Sequence, residues 1–151
     1  MFLASLDRIG AVIEQPLDTA SRTALDAALR YFREAAPKHT ADEEDSLFPR
    51  LRQMRDPEVR AAIQKLTPLE QDHRRADSLH AVVDRLGRKC LEHSALTLAE
   101  AEDYRRSMAE LMEIYKEHIR VEDEIVFPVA GRLLPAAQKS AIASEMAARR
   151  K

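Results

Sequence analysis

The sequence predicts an all-α protein, an up-down-up-down four-helix bundle with a short extra helix at its C-terminus. Three observations predict it. The chain is rich in Ala, Leu, Glu and Arg and has only three Gly, a composition that favours helix. Apolar residues recur at steps of three and four, as on the buried face of a helix, and no segment sustains the alternation of a strand. Proline and capping signals divide the chain into four long runs joined by short connections, which favours antiparallel neighbours.

Helix 1 is expected over roughly residues 2–14, stopped near Pro16. Helix 2 begins near Thr19 and carries the stripe Leu25, Leu29, Phe32, Ala36. It is expected to run on through Pro37 to about Met54, kinked where the proline removes a donor and crowds the preceding turn. A short helix follows Asp56-Pro57. In "TPLE", Thr67 reads as N-cap, Pro68 as first helical residue and Glu70 as the reciprocal cap, a capping box opening helix 3. That helix is expected to end at about Gly87. "TLAE", Thr97 to Glu100, is a second capping box and opens helix 4, expected to end near Pro128. The last helix starts at Pro135.

Composition bounds the function. A chain of 151 residues reads as one domain, residues 1–151, with room for a real core. No apolar run reaches the length of a membrane span, and no charged-then-apolar leader opens the chain. One cysteine, Cys90, cannot form an internal disulfide, which fits a reducing compartment. The expectation is a soluble, cytoplasmic protein with no membrane partner. A net charge of −2 argues against nucleic acid as a partner.

One phrase occurs twice. "KHTADEEDSLFP" runs from Lys38 to Pro49, and "EHIRVEDEIVFP" from Glu117 to Pro128. Each has a His, a Glu four residues on, and Phe-Pro after that. His39 and Glu43 continue the buried stripe of helix 2, which goes on to Leu47. His118 and Glu122 continue that of helix 4, after Ala101, Tyr104, Met108, Leu111 and Tyr115 and before Ile125. Helix 3 places His73 and His80 in its own stripe, among Leu69, Ala76 and Val83. Buried carboxylates and imidazoles are unfavourable unless paired or bound to a metal. Residues at i and i+4 share a helix face, so each His-x-x-x-Glu step can offer a nitrogen and a carboxylate to one site. Imidazole with carboxylate suits Fe, Mn or Zn. Antiparallel succession brings late helix 2, early helix 3 and late helix 4 to one level. His39, Glu43, His73, His118 and Glu122 are therefore expected to converge. His80 lies two turns further on, about 10 Å along the axis, too far to share a metal with them.

At these residues the chain resembles the hemerythrin-like (HHE cation-binding) family. "HTADE" supplies His39 and Glu43; "DHRRAD" supplies His73, with Asp77 standing where a second His can occur; "HIRVEDE" supplies His118 and Glu122, with Asp123 as the spare carboxylate. The resemblance implies a non-haem site of two iron ions, oxo- or carboxylate-bridged, in the bundle core, with Mn or Zn as substitutes. It implies a small ligand, oxygen, peroxide or nitric oxide, and a role in oxygen or redox sensing or iron handling. His39, Glu43, His73, Asp77, His118 and Glu122 are the implied metal ligands. The family's helix-1 His has no counterpart, since no His precedes His39. Its level would fall before Met1, so the expectation is a helix 1 truncated at its N-terminus and a site holding fewer ions than the family's. Asp77 in place of a second His speaks against reversible oxygen carriage.

Other readings stay open beside this one. A ferritin-like di-metal carboxylate oxidase needs Glu-x-x-His on two helices; Glu70 and His73 supply one, but Tyr115 stands three before His118. A zinc hydrolase would need His-Glu-x-x-His, which is absent. A metal-free helical interaction module would merely pair the buried polar groups. The residues point to a metal- and oxygen-binding protein more than to an enzyme. His80 reads as a core residue, His93 as solvated, Tyr115 as core packing, and Glu44, Asp45 and Glu124 as solvent-facing charges. Phe48 and Phe127 read as closing the core beyond the site.

Overall fold

The computed structural model describes residues 1–93 and 95–151; of His93 only the backbone is described. The reading of its side chain as solvated falls outside the described residues. The chain is all-α, and no strand occurs among the described residues. Its order is α1 (Phe2–Gly10), α2 (Thr19–Glu34), α3 (Ala36–Ala41), a π-helical segment π1 (Asp42–Leu47), α4 (Phe48–Gln53), α5 (Pro57–Ile63), α6 (Leu66–His93) and α7 (Leu98–Val121). A second π-helical segment π2 (Glu122–Val126), α8 (Phe127–Leu133) and α9 (Ala136–Ala148) complete it. No helix among the described residues is long and apolar enough to cross a membrane. Two compact units form, one of residues 1–35 and 75–115, the other of residues 36–74 and 116–151.

The first unit packs four helical segments, α1, α2, the later part of α6 and most of α7. Leu6, Ile9, Leu25, Leu29, Val83, Leu86, Tyr104, Met108 and Leu111 form its core. α1 ends at Gly10, earlier than expected, and three-residue turns carry the chain on: Ala11 N–H donates to Arg8 O and Val12 N–H to Ile9 O. Asp18 caps α2 by accepting from Ser21 N–H at 2.7 Å. The capping box of α7 forms as read: Glu100 N–H donates to Thr97 Oγ1 at 3.2 Å and Thr97 N–H to Glu100 Oε1 at 3.1 Å. α6 does not stop at Gly87. A Cβ there would lie 2.8 Å from Leu29 Cδ1, so this glycine admits a close neighbour rather than ending a helix.

The second unit holds the rest. Phe48, Leu51, Val59, Leu66, Leu69, Val126 and Val129 are buried in its core. The long helix expected from Thr19 to Met54 is interrupted at Ala35, two residues before Pro37. α5 is capped by Asp56, which accepts from Glu58 N–H at 2.8 Å. Thr67 is not an N-cap: α6 starts at Leu66, whose side chain is fully buried, directly after a turn in which Lys65 N–H donates to Ala62 O. The helical run also passes Pro128. Phe127 N–H donates to Glu122 O, five residues back, and Pro128, which has no N–H to give, follows at once in a backbone that stays helical through Val126. Phe48 N–H makes the same bond to Glu43 O before Pro49. The repeated Phe-Pro is therefore the close of a wide π-turn, and each copy of the phrase contains one. Phe48 is fully buried, but Phe127 is exposed, so only one of the two closes the core.

Candidate metal centre

Three helical runs of the second unit supply the site. π1 carries Glu43, α6 carries His73, α7 ends with His118 just ahead of Glu122 in π2. π-turns within α-helices are frequent at functional positions, and here Glu43 and Glu122, the carboxylates of the repeated phrase, each fall in one. Glu43, His118 and Glu122 are buried and His73 nearly so. One ligand atom from each of these four residues lies within 4.8 Å of the others.

The geometry is convergent and unsatisfied. His73 Nε2 stands 3.1 Å from Glu43 Oε2, His118 Nε2 stands 2.7 Å from Glu122 Oε1, and the two Nε2 atoms face each other at 3.1 Å. The two His–Glu distances are those of ion pairs for protonated rings, but neither contact makes a well-aligned hydrogen bond, and Glu43 Oε1 and Oε2 and Glu122 Oε1 are buried without one. Such groups are rare in folded proteins because each forfeits its hydration. Two facing imidazole nitrogens also repel unless a proton or a cation lies between them. A divalent cation bound by the two nitrogens and the carboxylate oxygens would satisfy all of these at once, so the residues present fit a metal.

Each outer nitrogen has a carboxylate beside it, and that of His73 is hydrogen-bonded as a metal ligand's would be. His73 Nδ1 donates to Glu44 Oε1 at 2.6 Å, and His118 Nδ1 stands 3.5 Å from Asp72 Oδ2. A carboxylate on Nδ1 fixes the proton there and turns the Nε2 lone pair inward. Burial opposes protonation of His73, but Glu43 and Glu44 outweigh it and raise its pKa to about 9. Burial likewise opposes protonation of His118, and Glu122 raises it. Burial pushes the Glu43 carboxyl up, and the facing Glu122 adds to this against the pull of His73. Glu122 is held low, its burial outweighed by His118. The metal-free centre is thus a knot of competing charges.

Not every expected ligand joins the group. His39 Nε2 is 3.1 Å from Glu43 Oε1, but its side chain is 60% exposed and it lies outside the four-residue cluster. Asp77 is exposed. The buried stripe of α6 steps from His73 to Ala76, Leu79 and Val83 and leaves Asp77 on the solvent side. Asp123, the spare carboxylate, is exposed as well. Glu44 is not a solvent-facing charge, as expected, but the partner of His73; Asp72 was not singled out at all. Each stands one residue from a ligand position, and in a charged helix that is a weak signal. In the first unit His80 packs on Phe32, ring centroids 4.3 Å apart, and its Nε2 is 2.9 Å from the Tyr115 hydroxyl.

Comparison with the curated proteins and with solved structures finds no match. The family model that matches is the hemerythrin HHE cation-binding domain, over residues 1–130, and that span takes in every residue of the centre. On this match the chain belongs to the hemerythrin HHE cation-binding family.

Proposed function

We propose that the chain is a single-domain, cytoplasmic, non-haem iron protein whose core site responds to oxygen, peroxide or nitric oxide. The carrying observation is the group Glu43, His73, His118 and Glu122, with two inward nitrogens and three buried carboxylate oxygens that make no aligned hydrogen bond. These four would hold one ion. Glu43 presents Oε2 to His73 and Oε1 to His39, both at 3.1 Å, so Glu43 and His39 together would also hold a second ion. His39, the most exposed of these ligands, would hold the second less firmly. Bound iron would supply a redox centre able to take a small ligand. The chain's own residues orient and protect it: Glu44 fixes the His73 ring, Asp72 stands beside the His118 ring, and the buried Leu69 lies one turn from His73. Nitrogen and carboxylate ligands equally suit Mn or Zn, which would bind as substitutes.

The test is anaerobic loading with iron(II) followed by exposure to oxygen, peroxide or nitric oxide under an optical or Mössbauer readout. Spectral change in the wild-type chain that is lost in His118→Ala supports the reading. A chain that takes up no iron would be a metal-free module whose buried polar groups merely pair.

A further inference from the structure

We infer that Arg149 and Arg150, together with Asp42, are positioning residues for the metal centre, and that the C-terminal helix is a latch on its ligand-bearing π-turn. The inference rests on the metal-binding reading of the four-residue group. It concerns a part of the chain, α9 and the two arginines after it, that lies beyond the span matched by the family model.

π1 has two faces. One carries Glu43 and Glu44, turned to His39 and His73. The other carries Asp42 and Ser46, which are also buried, at 4% and 0% exposure. Asp42 accepts from Arg149 at 2.9 Å and from Arg150 through both of its oxygens. Ser46 Oγ accepts from Arg149 at 2.7 Å and donates to Glu145. Arg50, one turn on, bonds both oxygens of Glu145, at 2.6 and 3.0 Å, and reaches Gln138 at 2.8 Å. Burial alone would raise the Asp42 carboxyl, yet the two guanidiniums hold it below its ordinary value.

A π-turn is a poorly bonded stretch of helix, and its side chains can slip in register. Both buried polar side chains on the outer face of π1, Asp42 and Ser46, are tied to α9 or to the arginines that follow. Rotation of π1 about its axis would break these bonds in the act of swinging Glu43 away from His73. The guanidiniums also neutralise a carboxylate adjacent in sequence to one that must stay buried and anionic to bind a cation. The latch therefore acts on the centre through Asp42 without touching the ion. Groups of this kind change metal affinity by about 10- to 100-fold when removed.

The test uses the full chain and cobalt(II), whose visible bands report coordination geometry. Affinity is measured by competition with a chelator, well below the melting temperature of the metal-free chain. Arg149→Ala with Arg150→Ala should bind cobalt about 10-fold more weakly and shift the visible bands. Arg149→Lys with Arg150→Lys should recover part of the loss. Arg132→Ala breaks an ion pair with Glu58 in the same unit, away from π1; it should match the wild type in both readouts. Arg150→Ala alone or Asp42→Asn replaces the double variant if that does not fold, with the same direction expected. Wild-type affinity and wild-type bands in a folded latch variant would overturn the inference, leaving α9 as a brace of the fold alone. A wild-type chain that binds no cobalt would overturn the site itself, and the latch with it.

Discussion

Replacing Glu44 by alanine should produce a loss of metal affinity that depends on pH. Glu44 accepts from His73 Nδ1 at 2.6 Å and is one of two carboxylates that lift the ring's pKa to about 9. At pH 7 the metal-free ring is protonated, and a cation must displace that proton. Two pH units below its pKa, this competition weakens apparent binding by about 100-fold. Glu44→Ala then has two opposed effects. It frees the ring to rotate and to choose the wrong tautomer, a loss of about 10- to 100-fold. It also lowers the ring's pKa, so less proton has to be displaced at pH 7. By pH 9.5 the second effect has nearly vanished, because little of either ring still carries the proton. The variant should thus bind zinc or cobalt at least about 10-fold more weakly at pH 9.5, with a smaller gap at pH 7. Competition against a chromophoric chelator from pH 6.5 to 9.5 measures both. Equal affinity at high pH would refute the orienting role of Glu44. A gap that does not change with pH would refute the protonated His73.

Three further outcomes test the fold. Burial pushes His80 down to about 4, so the folded chain keeps it neutral while the unfolded chain protonates it near 6.5. Its contribution is complete above pH 6.5 and is lost as pH falls toward 4, by about 3 kcal/mol, and His80→Gln should flatten that slope in urea melts between pH 4 and 7; identical slopes would refute it. Tyr104 is fully buried and its hydroxyl donates to Leu6 O at 2.8 Å, so Tyr104→Phe should lower unfolding stability by about 1 kcal/mol in the same assay. Gly87→Ala adds a Cβ 2.8 Å from one methyl of Leu29, 3.1 Å from the other and 3.3 Å from Leu25. Crowding of about 1–3 kcal/mol should exceed alanine's helix gain of about 1, giving a lower melting temperature rather than a higher one.

Local signals were legible where they decide local structure. The Thr97 capping box, the Asp56-Pro57 start and the Pro135 start need only neighbouring residues, and all three form. The Thr67 box failed because Leu66, fully buried, draws the helix start forward. Gly87 failed because its meaning lies in Leu29, far away in sequence. At the site, the doubled His-x-x-x-Glu located three of the four clustered residues, and the level of the helices located His73. The π-turns were not legible: Phe-Pro reads from sequence only as closing the core, and its place at the end of a π-turn appears in the structure. His39, expected as deep as Glu43, stays at the rim, and Glu44, expected in solvent, meets His73. The latch was illegible because Asp42 and Arg149 are joined only by the fold, and the basic tail "AARRK" reads by itself as a solvated helix end, which its pairing with Asp42 corrects.

The most direct measurement is metal per chain after anaerobic iron(II) loading and removal of unbound ion, on the wild type and on His118→Ala. Nε2 of His118 faces both His73 and Glu122, so its loss removes the centre of the group. The account predicts at least about one iron per wild-type chain, a higher melting temperature with iron than without, and loss of both in the variant. Equal iron in the two chains, or none in either, would contradict it.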